Sequence, residues 1–172
     1  MYQRMEKVLK CPKDSQVIMT EIVLPQHTNA IGTVFGGTVM SWVDIAAATA
    51  AMRHAGMQVV TASVDAMEFR AAIRLGWIVN IMASVNYVSK SSCEVGVKVT
   101  AENPLTGEKF HTASAYLTLV ALDSNGKSTR MPGIEPKTEE EQRRFSHAQS
   151  RREMRLQMRE KNFSRLKEKG MT

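Results

Sequence analysis

The chain has 172 residues, 43% of them hydrophobic and 23% charged, an ordinary globular mixture that excludes collagen, extended disorder and a coiled coil throughout. Lys and Arg number 23 against 17 Asp and Glu, for a net charge of +6. Residues 1–136 hold 12 bases and 11 acids and residues 137–172 hold 11 and 6, so the basic excess sits in a C-terminal extension and speaks against a nucleic-acid-binding body.

Residues 1–10 carry Arg4, Glu6, Lys7 and Lys10 and lack the apolar stretch of a secretory signal. No apolar run reaches the roughly 18 residues needed to cross a bilayer. Cys11 and Cys93 have neither metal-ligand spacing nor the density of a disulfide scaffold. A cytoplasmic protein follows, with no membrane partner, one domain over 1–136 and a basic helical extension over 137–172.

Residues 16–24 alternate in polarity and read as a strand that Pro25 stops. Residues 26–34 form a loop containing Asn29 and Gly32. Gly36 and Gly37 open a helix over 38–55 that is apolar nearly all round, with Gly56 as its stop, and a helix of that kind is expected to be buried on every side. Four further strands follow at 59–69, 77–88, 94–102 and 110–122, joined by short polar or Gly-containing connections that suit antiparallel neighbours. The order predicts an α+β fold in which one five-stranded antiparallel sheet curls round a long central helix. A single sheet leaves one flank of that helix uncovered, and a second copy pairing strand edges across a two-fold axis would close it.

Asp44 stands inside the apolar helix with no Lys or Arg within one turn. A buried, unpaired carboxylate is costly, so this one needs a partner, water or a function. The bland reading is an aspartate bonded to a loop backbone or to Ser41. The glycine pair shifts the balance, because a helix start presents unpaired N–H groups with partial positive charge, and glycine lets another group approach them closely. Such donors suit a developing oxyanion. Gly37 and Asp44 lie seven residues apart, about 10 Å along the axis and on one face, so the donors and the carboxylate can flank a substrate lying along the helix.

Asn29, Gly32, Phe35-Gly36-Gly37, Trp42-Val43-Asp44, Arg53-His54-Ala55-Gly56 and the run from Val60 to Phe69 resemble the hotdog-fold acyl-CoA thioesterases of the brain acyl-CoA hydrolase type and their single-domain bacterial relatives. The resemblance spans about residues 18–130. It implies a sheet wrapped round a central helix, dimers with active sites at the subunit interface, and commonly a trimer of dimers. It also implies that Asn29 and Asp44 are catalytic and come from opposite subunits.

The expected reaction is hydrolysis of an acyl-CoA to a free fatty acid and coenzyme A, with no metal or redox cofactor. Asp44 acts as general base for water, or as nucleophile through an anhydride. Asn29 holds the water or the carbonyl, and the Gly36 and Gly37 backbone polarises the thioester oxygen. Lys90, Ser91 and Ser92, in a polar turn that the resemblance places near the nucleotide, are candidate phosphate contacts, with Arg130 a weaker one. Met67 and Phe69 are candidates to line the acyl channel, although core packing explains both equally well.

The acidic start and basic continuation of the extension favour a helix with a weak apolar stripe through Phe145, Ala148, Met154, Leu156, Met158 and Phe163, lying against the body or a neighbouring subunit. Its lack of Trp argues against a single-strand nucleic-acid binder. His27 reads as a support for Asn29 or, as is commoner for a loop histidine, a solvated group, His54 and His111 as capping or packing groups, and Cys93 as a small buried hydrophobe. The rival readings are a non-catalytic acyl-CoA sensor on the same scaffold, a hotdog dehydratase, which would want a helix histidine earlier than His54, and an RNA-binding protein acting through the extension.

Overall fold

A computed structural model describes residues 9–168. The reading of residues 1–8 lies outside that range, as does the side chain of Phe163. In chain order the elements are β1 (Leu9–Lys10), β2 (Val17–Ile22), α1 (Gly36–Ala55), β3 (Val59–Phe69), β4 (Ile78–Val88), β5 (Ser92–Glu102), β6 (Lys109–Ala121), β7 (Gly133–Ile134) and α2 (Glu139–Glu168), with 3-10 turns at Pro12–Ser15 and Pro25–His27.

Five strands form one antiparallel sheet in the order β2-β4-β5-β6-β3. Alternation sends Val79, Ile81, Val95, Val99, Leu117 and Leu119 to the side that α1 covers, and each is fully buried. Ala46, Ala47, Ala50 and Ala51 face them with no exposed surface, and their small size lets the helix axis approach the sheet closely. The glycine stop works as the sequence implies: Gly56 takes φ +69° and its N–H donates to Met52 O at 2.8 Å.

α1 departs from the expected burial on every side. Its buried residues recur as Val39, Trp42-Val43, Ala46-Ala47, Ala50-Ala51 and His54-Ala55, one stripe of helical period. The opposite flank leaves Met40, Ile45 and Met52 exposed by 47%, 49% and 44%. One five-stranded sheet can cover only one side of a helix, and the remaining apolar flank is available to a second copy. β3 lies at the sheet edge with Val60, Val64 and Phe69 exposed, and two bulges interrupt its register, between Thr61 and Ser63 and between Val64 and Ala66.

The sequence reading also missed a two-stranded parallel sheet, in which Leu9 and Lys10 pair with Gly133 and Ile134. Two-residue strands carry no periodicity, so no pattern could announce them. Near this pair Lys10 Nζ donates to the carbonyls of Arg53 and His54 at 3.0 and 2.8 Å, which supplies a cation and two hydrogen bonds at the C-terminus of α1.

Contacts divide the chain into Met1–Glu135 and Pro136–Thr172. In the second unit Thr138 and Glu141 form a capping box: Glu141 N–H donates to Thr138 Oγ1 and Glu141 Oε2 accepts from Thr138 N–H. Along α2 Ala148 is buried and Phe145 half-buried, while Met154, Leu156 and Met158 are exposed.

Candidate active site

Asp44 sits on the open flank of α1 and is itself exposed, not buried. Its partner is neither loop backbone nor Ser41. Thr61 Oγ1, on β3, donates to Asp44 Oδ1 at 2.7 Å. The bulge immediately after Thr61 changes the local twist of the edge strand next to this bond. Among the described residues Oδ2 has no hydrogen bond, so one oxygen of the carboxylate is fixed and the other faces outward. Sequence reasoning did not single out Thr61, whose signal was a polar side chain on a strand face otherwise turned toward the helix.

Seven residues before Asp44, the amides of Gly36 and Gly37 lie in the first turn, where N–H groups have no intrahelical acceptor. The space around this pair is narrow. A Cβ built on Gly37 would meet Phe35 Cε1 at 2.5 Å, and one on Gly36 would meet Phe69 Cζ at 3.5 Å. Two largely exposed rings therefore flank the helix start. Beside them opens a hollow of about 380 Å³ lined by Val34, Gly36, Val39, Phe69, Arg70 and Ala71–Ile73, apolar apart from backbone and the Arg70 guanidinium, which is paired with Glu68 at 2.8 Å. Of the two acyl-channel candidates, Phe69 lines this hollow, whereas Met67 packs against the core.

Asn29 lies at the head of a closed turn. Its backbone N–H donates to Thr33 O at 2.8 Å, Gly32 N–H returns to Asn29 O at 3.0 Å, and Gly32 takes φ +76°. The side-chain Oδ1 accepts from the N–H groups of Ile31 and Thr33 at 3.1 and 3.2 Å, while Nδ2 contacts Thr33 Oγ1 at 3.0 Å. The amide is thus pre-oriented by its own loop. Among the described residues no hydrogen bond joins Asn29 to Asp44.

Lys90, Ser91 and Ser92 occupy the β4–β5 hairpin, closed by Ser89 N–H on Ser92 O at 2.8 Å. Ala121 N–H donates to Ser91 O and Met131 N–H to Lys90 O, which brings the backbone next to Arg130 beside Lys90, both side chains being exposed. The hairpin makes no contact with the Asp44 group in one chain. Cys93 is buried and its thiol is pushed up to about 12 by desolvation, which removes it as a nucleophile. Among the described residues no group of three His, Cys, Asp or Glu side chains could hold a metal ion.

The profile of the thioesterase superfamily matches residues 31–108, which include the glycine pair, Asp44, Thr61 and the β4–β5 hairpin. The uncharacterised acyl-CoA thioester hydrolase YkhA of Bacillus subtilis is 44% identical over 129 residues, covering 75% of each chain. The chain belongs to the hotdog-fold acyl-CoA thioesterases. Among solved members of this family, an apo-hexameric acyl-CoA thioesterase superimposes with a TM-score of 0.85 at 40% identity, over 88% of this chain and 97% of the other. An acyl-CoA hydrolase of Staphylococcus aureus, solved in complex with coenzyme A as a variant with one asparagine replaced by alanine, gives 0.89 at 35% identity over 97% and 100%. Sister structures of that hydrolase replace an aspartate and a threonine by alanine. Its asparagine, aspartate and threonine stand fifteen and seventeen residues apart.

Proposed function

We propose that this thioesterase hydrolyses acyl-CoA with Asp44 as general base, Thr61 orienting it, and Asn29 contributed by the partner subunit of a homodimer. The observation that carries the reading is the carboxylate of Asp44, held by Thr61 at one oxygen and open at the other, on the same helix as the Gly36 and Gly37 amides. The intervals between the three residues substituted in the Staphylococcus aureus hydrolase support it, since Asn29, Asp44 and Thr61 stand fifteen and seventeen residues apart here too.

In this mechanism Asp44 Oδ2 takes a proton from water, and the oxygen attacks the thioester carbon. The N–H groups of Gly36 and Gly37 stabilise the negative charge that gathers on the carbonyl oxygen. The carbon–sulfur bond then breaks, the coenzyme A thiolate takes up a proton, and the free acid leaves. Asn29, with its Oδ1 occupied by backbone donors, presents an Nδ2 hydrogen to the water or the carbonyl. Phe69 and the neighbouring hollow receive the acyl chain, and Lys90, Ser91, Ser92 and Arg130 receive the phosphates. Met67, packed into the core, shapes that channel from behind. The exposed flank of α1 and the β3 edge supply the dimer contact, and three dimers assemble further. No metal takes part, so dialysis against a chelator leaves the rate unchanged.

Thiol release from a panel of acyl-CoAs tests the assignment. Asp44→Asn lowers kcat by about 10²- to 10⁴-fold, the range of a lost general base, and leaves coenzyme A binding in place. Near-normal turnover by that variant removes Asp44 from the mechanism. Incorporation of ¹⁸O into Asp44 during single turnover in labelled water would mark an anhydride opened by water at the Asp44 carbonyl. The sensor alternative predicts binding without thiol release.

A further inference from the structure

The turn that carries Asn29 is a stem of three rungs. Phe35 N–H donates to His27 O at 2.9 Å, Thr28 pairs with Val34, and Asn29 N–H donates to Thr33 O. The stem runs directly into α1, where Phe35 O accepts from the N–H groups of Thr38 and Val39, and Val34 is buried in the core; two further contacts hold its strands to the rest of the molecule. One is backbone, through Val34 N–H on Ile73 O and the pairing of Thr33 with Arg74. The other is the side chain of His27. Its Nδ1 accepts from Leu24 N–H at 3.2 Å, which leaves the hydrogen of the neutral ring on Nε2. Its ring stands at 90° to that of Trp42, with centroids 5.2 Å apart. Trp42 is buried in α1, two residues before Asp44. His27 therefore joins the base of the Asn29 turn to the helix that carries the carboxylate.

We infer that His27 is a positioning residue that sets the Asn29 amide through its contact with Trp42. The inference rests on the catalytic role proposed above for Asn29. Without the ring the three rungs still close and the turn persists, held by Ile73, Arg74 and the run of Phe35 into α1, but the His27 strand of its base loses its packing on Trp42 and is free to shift. A displacement of about 1 Å in a substrate-orienting group costs up to about 100-fold in rate. Because His27 touches the protomer's own helix, while Asn29 serves the neighbouring carboxylate, the same contact ties the geometry of one site to the helix of the other.

Two substitutions separate the functions of the side chain. His27→Gln keeps an acceptor for Leu24 N–H, in the position where Gln serves a capping box, and discards the ring. His27→Phe keeps a ring against Trp42 and discards the acceptor, whose donor is solvent-exposed. The expected result is a fall in kcat of about 10- to 100-fold for Gln at unchanged KM and melting temperature, with kcat for Phe within a few-fold of wild type. Equal losses for both, or none for Gln, overturn the inference.

The same Gln substitution in an Asn29→Ala background should cost nothing further, since a residue acting only through Asn29 has no effect once Asn29 is gone. A loss of the same size in both backgrounds overturns the inference. If Asn29→Ala alone turns over like wild type, the catalytic reading of Asn29 fails instead. Hydrogen exchange then still decides the structural part: the Val34 amide, which ties the turn to Ile73 O, exchanges faster in His27→Gln, and unchanged exchange contradicts it.

Discussion

Thr61 contributes one hydrogen bond to Asp44, so in the mechanism proposed above Oδ2 is the oxygen left for chemistry. A neutral donor to a carboxylate holds its orientation more than it changes its charge, so Thr61→Val should lower kcat by about 10-fold, less than Asp44→Asn, with little change in stability; thiol-release kinetics beside a thermal melt measure both. His54 presents the opposite case, a buried group with no part in the reaction. It is fully enclosed, its Nε2–H donates to Pro132 O at 2.9 Å, and Nδ1 has no partner. Desolvation lowers its pKa from the ordinary 6.5, more than the Pro132 bond raises it, with Lys10 lowering and Asp14 raising it further. The unfolded chain therefore binds the proton more readily than the folded one, so this contribution to stability is present above pH 6.5 and is lost as the pH falls below it. Melting temperatures should decline from pH 7.5 to 5.5 in wild type and decline less in His54→Gln; equal slopes contradict the assignment.

At the scale of elements, α1 and its sheet were legible because periodicities of 3.6 and 2 are long-range signals, and the observed bounds of β3 coincide with the alternating run at 59–69. The helix begins at Gly36, two residues before the expected Thr38, because the glycine pair that opens it is already helical. Burial on every side fails for a physical reason: one sheet covers one face of a helix, and the opposite apolar flank of α1 stays exposed in the single chain. The Asn29 turn was legible as a loop, but not its rungs or the His27 contact, since a ring packed on a helix fifteen residues away leaves no periodicity. Close packing yields a further test. A Cβ on Gly96 of β5 would lie 2.5 Å from Asn86 Nδ2, and Asn86 is buried on β4. Gly96→Ala should destabilise the protein by about 1–3 kcal/mol, the usual range for forced overpacking, readable as a lower denaturation midpoint at unchanged m-value.

For the whole molecule, the exposed apolar flank of α1 and the eleven-residue edge strand β3 argue that the folded chain is completed by another copy. Ile45→Lys, on that flank next to Asp44, should shift the protein toward monomer in sedimentation and abolish turnover together, because the site proposed above draws Asn29 from the partner subunit. The residues that one chain brings together are Asp44, Thr61 and the helix start, and separately Lys90 and Arg130. Asn29 shares no hydrogen bond with Asp44, and the expectation that the two meet from opposite subunits rests on the family resemblance.

Mixed dimers test that division most directly. Asn29→Ala and Asp44→Ala protomers, each far slower than wild type alone, are co-expressed with different tags and assayed as a mixture. With random pairing, half the dimers are mixed and each holds one site with both residues intact, so thiol release should return to about a quarter of the wild-type rate. Mixed dimers that form and remain as inactive as either parent would show that Asn29 and Asp44 do not meet across the interface.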